Sequence, residues 1–194
     1  MTTQRALPTW ISPRRAFLYS LLLATTAVLA IAAWSRHLDA QSLARIAPRP
    51  LSPSIDVTTQ LHTEDLAAVG RRYSVVVDLR PDGEAAGQPS SQEMASVAHR
   101  NGLKFNYVPV PHGEIPEEAV TRLRRVLDAP HGDVLLYCRS GKRAARTWAL
   151  AEASRLNGMS ATDIIAAVHA AGQDAEDLRG RIQAAVDGRQ QVQP

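Results

Sequence analysis

The chain is short of cysteine: Cys138 is the only one in 194 residues. An internal disulfide and a multi-thiolate zinc site are therefore excluded, and whatever Cys138 does it does as a lone thiol. Lysine is almost missing too; Lys104 and Lys142 stand against an otherwise all-arginine basic complement. Aromatic residues make up 5% of the chain, and no aromatic-rich basic stripe is present. That argues against a nucleic-acid partner, which calls for an aromatic-studded basic surface. Histidines are few and scattered (His37, His62, His99, His112, His131, His169), with no pair at helical or hairpin ligand spacing. No metal site and no cofactor is expected from them. No internal repeat is present, and neither is a Ser-His-Asp order that would make a triad.

What is present suits a folded protein. Apolar residues reach 45% and charged residues 21%, with a formal charge of +3; wholesale disorder is excluded. The length accommodates one domain of roughly 100–150 residues plus extensions.

One extension is plain. After a basic N-terminal segment (residues 1–15), residues 16–34 run AFLYSLLLATTAVLAIAAW without a charge. As a helix this stretch spans about 30 Å, the thickness of a bilayer's hydrocarbon core. Arg14, Arg15 and Arg36 bound it, and Tyr19 and Trp34 are suited to the interface. Pro13-Arg14-Arg15-Ala16-Phe17-Leu18 resembles a twin-arginine export signal, but the apolar run is long for a signal core. An uncleaved single-pass anchor is the expectation. The arginines before the span favour a soluble domain on the periplasmic or extracellular side, whereas the free thiol favours a reducing compartment. Residues 35–54, with three prolines, read as a linker.

From Ile55 strand and helix signals alternate. Ser74–Leu79 is a β-branched run stopped by Arg80-Pro81-Asp82-Gly83. Ser90 and Glu93 form a capping box, and Lys104–Val110 alternates as a strand. Pro116-Glu117-Glu118 opens a helix with an apolar stripe at Ala119, Val120, Leu123, Val126 and Leu127. Val134–Tyr137 is wholly apolar, as an inner parallel strand should be. A helix over about 144–157, a capped helix from Ser160 and a last helix over 174–186 complete the pattern. The expected fold over 55–186 is a small three-layer α/β domain, a central mainly parallel sheet flanked by helices, with a flexible tail at 187–194.

Chemistry concentrates after that inner strand, in Tyr137-Cys138-Arg139-Ser140-Gly141-Lys142-Arg143. Strand, short loop and helix in this order aim several backbone N–H groups at one point, with the positive end of a helix dipole behind them. An anion there would be held by Arg139, Ser140, Gly141, Lys142 and Arg143, the last through its guanidinium fork. The same field favours a thiolate, a nucleophile suited to electrophilic phosphorus or sulfur. The plainer reading is a buried apolar cysteine beside surface charge; three cations within five residues of it speak against that.

Together with Val57–Leu61, Val77–Glu84, Gln88–Ser91, Val108–Val110 and Thr147–Leu150, this loop resembles the β-lactamase hydrolase-like family, which carries a domain similar to the dual-specificity phosphatases. The resemblance covers about residues 52–186. It implies a phosphatase-like α/β fold with Cys138 as nucleophile and Arg143 as oxyanion clamp, in a family whose members are labelled hydrolases and sometimes sulfur transferases.

The chain departs from the cysteine-phosphatase pattern His-Cys-x5-Arg. Tyr137 precedes the cysteine, four residues separate Cys138 from Arg143, and Ala144 stands where Ser or Thr is common. The shorter loop is similar to that of rhodaneses, which cradles a persulfide. Ser140 and Thr147 are the hydroxyls available to replace the missing one. For the leaving-group acid the candidates are Asp82 and His112, with Glu114 behind them. The leading expectation is a membrane-tethered, cysteine-dependent phosphatase-like hydrolase for a phosphorylated substrate. The alternatives are a rhodanese-like sulfurtransferase taking a sulfur donor and a non-catalytic anion-binding module. The chain carries no signal for an oligomeric state.

Overall fold

Runs of valine and leucine that can bury both faces make the inner strands. In the computed structural model, which describes residues 12–129 and 132–190, these are β2 (Ile55–Thr58), β3 (Val75–Asp78) and β5 (Val134–Tyr137), every residue of them buried. With β1 (Arg49–Ser52) and β4 (Lys104–Tyr107) they form a five-stranded sheet in the order β1-β2-β5-β3-β4. All neighbours are parallel except β1, which pairs antiparallel with β2. The cysteine strand β5 lies in the middle, with Val57 and Val77 opposite Leu136 on its two sides.

The helices cover both faces. The one face packs Ile55, Val57, Val75, Val77, Val134 and Leu136 against α4 (Glu117–Asp128), α5 (Lys142–Ala153), α6 (Ala161–Ala170) and α7 (Arg179–Gln190). The other packs Val76, Leu135 and Tyr137 against the end of α1 (Pro13–Ile46), the short α2 (Leu66–Val69) and α3 (Ser91–Arg100). This is the three-layer, mainly parallel arrangement that the alternating pattern predicts. Helix α5 lies deepest: Ala144, Ala145, Ala149, Ala151, Ala153 and Trp148 are buried, small side chains letting the helix approach the strand it follows.

Capping residues act as read from the sequence. Ser90 and Ser160 accept the amides of Glu93 and Asp163 at the starts of α3 and α6. Boundaries differ where tertiary contacts intervene. Helix α5 starts at Lys142 and stops at Ala153 rather than running over 144–157. Its terminal carbonyls at Glu152 and Ala153, and that of Arg155 beyond, accept from the Arg189 guanidinium. Strand β4 ends at Tyr107, short of Val110. The last predicted helix is a 3-10 turn, Glu176–Leu178, followed by α7. Because α7 continues to Gln190, residues 187–190 of the expected tail are helical; residues 191–194 lie outside the described ones.

The expected linker is not one. Helix α1 continues through Ile46, since prolines begin only at Pro48, and Ala47 at φ 42° breaks the helix before it. Arg49–Ser52 then forms an edge strand, the one sheet position that tolerates Pro50. Two compact units divide between Gln41 and Ser42, so the α/β unit begins well before Ile55. In the first unit, Phe17, Leu22, Leu29 and Trp34 of α1 are exposed. An 18-residue window of the helix has a mean hydropathy of 2.1, long and apolar enough to cross a membrane as an anchor or to serve as a signal sequence. Of the expected basic segment, residues 1–11 lie outside the described residues, as does His131.

Candidate active site

Parallel strands deliver their carboxyl ends to one edge, and there the loops after β2, β5 and β3 lie side by side. The root of the cysteine loop is stitched on both sides. Leu79 N–H donates to Tyr137 O at 2.9 Å and Gln60 N–H to Arg139 O at 3.3 Å. Gly141 then takes φ 84°, a left-handed conformation that turns the chain into α5 as its N-cap. A Cβ at this glycine would meet Gln173 Nε2 at 3.1 Å and the Thr58 carbonyl oxygen at 3.4 Å. Among the described residues no side chain caps α5, and the amides of its first turn have no intrahelical acceptor.

Cys138 has no exposed surface and packs in the larger apolar cluster with Leu136, Val77 and Ala144. One cation reaches it. The Arg143 guanidinium, with its side chain 13% exposed, is near enough for the sulfur's charge to help hold it protonated. Its hydrogen bonds leave one edge of the fork over. Nη1 donates to Glu84 Oε1 at 2.6 Å and to Val110 O at 2.7 Å, and Nη2 donates to Glu84 Oε2 at 2.7 Å. Three of five N–H bonds are thus engaged on the end of the fork, and the Nε–Nη2 edge is the one that remains. Arg139 and Lys142 are exposed instead. The expected ring of cations therefore divides: Arg143 turns inward, while Arg139 meets the rest of the protein through its carbonyl.

Glu84 is the residue that the sequence did not single out. Its carboxylate accepts from Arg143, from Arg80 Nε at 3.0 Å, and lies 3.6 Å from His112 Nε2. The Arg143 hydrogen bond is the main reason that its carboxyl is held down to about 2; burial opposes this and Arg80 adds to it. Burial works against the Arg143 charge, yet Glu84 and Cys138 outweigh it and hold the guanidinium more firmly protonated. In the sequence Glu84 sits in a Pro-Asp-Gly turn stretch, and its cation partner is 59 residues away.

The two acid candidates are placed differently. Asp82 accepts the Ser91 amide at 2.7 Å and the Ser91 hydroxyl at 2.6 Å, which commits its carboxylate to the start of α3. His112 is 70% exposed and lines a cleft of about 460 Å³ with Glu114, Lys142, Arg143, Arg146, Asp174 and Asp177. Ser140 and Gly141 face a second cleft bordered by Thr58, Thr59 and Gln173. The Thr147 hydroxyl is taken by the Arg143 carbonyl at 2.8 Å, an ordinary helical back-bond. Tyr137, in the position before the cysteine, is buried beside Asp78. Burial pushes the Asp78 carboxyl up to about 6, against the pull of the Arg80 amide and the Tyr137 hydroxyl. Burial first, and then Asp78, push the Tyr137 phenol up. Among the described residues no group of three or more His, Cys, Asp or Glu is arranged to hold a metal ion.

Comparison with known proteins places the fold. A family model described as "Beta-lactamase hydrolase-like protein, phosphatase-like domain" matches residues 48–155. The β-lactamase hydrolase-like protein of Xylella fastidiosa is 33% identical over 126 residues, 64% of this chain and 29% of the relative. That of Agrobacterium fabrum is 30% identical over 81 residues, 42% of this chain and 19% of the relative. The chain thus spans less than a third of the length of these curated relatives. Among solved structures, a phosphatase candidate from Neisseria meningitidis superposes with a TM-score of 0.60 at 27% identity, covering 71% of this chain and 96% of that one. The catalytic core of the PP-IP phosphatase Siw14 from S. cerevisiae gives 0.54 at 18% identity, over 75% of this chain and 89% of that one, a likeness of fold alone.

Proposed function

The chain belongs to the phosphatase-like domain family of the β-lactamase hydrolase-like proteins, and from that premise we propose a cysteine-dependent phosphatase, tethered to a membrane by residues 16–34. The observation that carries the proposal is the Arg143 fork. One end is fixed by Glu84 and Val110, which leaves the Nε–Nη2 edge over for an anion at the loop that Cys138 opens.

In the proposed reaction the Cys138 thiolate attacks a phosphoryl group. A sulfur–phosphorus bond forms as the ester oxygen–phosphorus bond breaks. The backbone amides of 139–143 and the Nε–Nη2 edge of Arg143 receive the equatorial oxygens as charge builds on them. His112, on the wall of the cleft that Arg143 shares, donates a proton to the leaving oxygen. It then takes one from the water that cleaves the thiophosphate, releasing phosphate and the free thiolate. Asp82 is given no part in this, because Ser91 holds its carboxylate.

The four-residue spacing between Cys138 and Arg143 keeps one second reading in play, sulfur transfer through a Cys138 persulfide. Both are tested on the detergent-solubilised full chain. Hydrolysis of a generic aryl phosphate, lost in Cys138→Ser and in Arg143→Ala, supports the phosphatase. Thiosulfate-to-cyanide transfer, with one extra sulfur on Cys138 in the mass spectrum, replaces it with the sulfurtransferase. Neither activity, with phosphate-analogue binding that survives Cys138→Ser and fails in Arg143→Ala, leaves an anion-binding module.

A further inference from the structure

Cys138 follows the middle strand of the sheet, and the strands on either side end in Thr58 and Asp78. Two strand spacings put β2 and β3 about 10 Å apart across the end of β5. One side chain closes that gap. Arg80, two residues beyond β3 and only 6% exposed at its side chain, donates from Nη1 to Gln60 Oε1 at 2.7 Å, two residues beyond β2. From Nε it donates to Glu84 Oε2 at 3.0 Å, and its own amide is fixed by Asp78 Oδ1 at 2.8 Å.

Both ends of this bridge lead to the cysteine loop. Gln60, whose side chain takes Nη1, donates its backbone N–H to Arg139 O, the residue after the cysteine. Glu84, which takes Nε, holds Arg143, five residues after the cysteine. We infer that Arg80 is the positioning residue of the site: one buried guanidinium that sets the near end of the loop through Gln60 and the oxyanion fork through Glu84. It touches neither sulfur nor substrate. Its planar fork meets two acceptors in fixed directions, which a lysine ammonium on a flexible stem does not do. The inference deepens the phosphatase reading and depends on it only for the kinetic readout.

The test uses the full chain in detergent, with Arg80→Lys, Gln60→Ala, Glu84→Gln and the Arg80→Lys/Glu84→Gln double variant. Two quantities are read: kcat and KM on an aryl phosphate, and the fraction of Cys138 present as thiolate near neutral pH. The latter comes from ultraviolet absorbance, which a single cysteine makes unambiguous once the Cys138→Ser spectrum is subtracted. Arg80→Lys is expected to lower kcat on the order of 10- to 100-fold with KM within about threefold, the pattern of misplaced groups rather than lost binding. The thiolate fraction falls with it. The double variant loses less than the product of the two single effects, because the two substitutions share the Arg80–Glu84 hydrogen bond. Gln60→Ala moves both readouts the same way by less.

Single effects that simply multiply, or an Arg80→Lys protein with kcat and thiolate fraction within about twofold of the parent, overturn the inference. If Arg80→Lys does not fold, an unchanged Gln60→Ala overturns it and a graded loss supports it. If the parent chain hydrolyses no phosphate ester while Arg80→Lys still lowers the thiolate fraction, the positioning role stands and the phosphatase reading falls.

Discussion

Glu84 grips Arg143 end-on, Oε1 to Nη1 at 2.6 Å and Oε2 to Nη2 at 2.7 Å, with both side chains largely buried. Glu84→Gln keeps the shape and removes the charge that this geometry is built around. In the folded protein its carboxyl sits at about 2 against an ordinary 4.5. A carboxylate lowered on folding contributes fully above the ordinary value and loses its contribution as pH falls toward the lowered one. The stability difference between the parent chain and Glu84→Gln should therefore be greatest above about pH 5. It should shrink steadily toward pH 2 in urea denaturation series. A difference independent of pH over that window contradicts the clamp.

Asp78 has the opposite sign. Burial raises its carboxyl to about 6 from 3.8, so the folded chain holds a proton there that the unfolded chain has already released. Stability should fall as pH rises from about 4 through 6, by on the order of 2–3 kcal/mol. Asp78→Asn keeps an oxygen for the Arg80 amide and should flatten that slope. Denaturation midpoints measured across this window decide it; an equally steep fall in the variant rejects the assignment.

Separating Asp82 from His112 needs one pair of variants. Asp82→Ala removes the acceptor for the Ser91 amide and hydroxyl and should cost about 1 kcal/mol of stability, with kcat nearly unchanged. His112→Gln should lower kcat on the order of 10²-fold for alkyl phosphates, whose leaving groups need a proton. Aryl phosphates with acidic phenols should be affected far less. A reversed pattern would move the acid role back to Asp82.

Gly141→Ala tests the turn itself. A left-handed residue with a Cβ costs about 1–2 kcal/mol, and this Cβ would also press on Gln173 Nε2 and the Thr58 carbonyl. Lower thermal stability together with a loss of aryl-phosphate hydrolysis is expected. Full activity in the alanine variant would mean that the loop does not depend on this turn.

The tether is tested by fractionation. An uncleaved α1 keeps the full chain in the membrane pellet after alkaline carbonate washing, at a mass that includes residues 16–34. A shortened, carbonate-soluble product would make the segment a cleaved signal instead.

Local chemistry was readable in advance wherever it depended on neighbours in the chain. Ser90 and Ser160 cap the helices that they precede, Val134–Tyr137 is the inner strand, and Cys138 and Arg143 stand at the two ends of one loop. Composition without context misses what the tertiary contacts decide. Three prolines in 35–54 looked like a linker, yet they begin only at Pro48; the helix before them continues, and Pro50 fits an edge strand. Asp82 drew attention as an acid in a loop, but Ser91 on the next element takes its carboxylate. Thr147 looked available and is occupied by its own helix.

The sequence by itself determined the alternation of strand and helix, the apolar N-terminal segment, and the cysteine loop with its internal arginine, because each is set by contacts within a few residues. Only the tertiary structure decided which carboxylate would hold that arginine, and which buried guanidinium would bridge the strands around it. Glu84 lies 59 residues from Arg143 and Arg80 lies 20 from Gln60. Such pairs come together because the strand order sets β5 between β2 and β3, and no local propensity encodes that order.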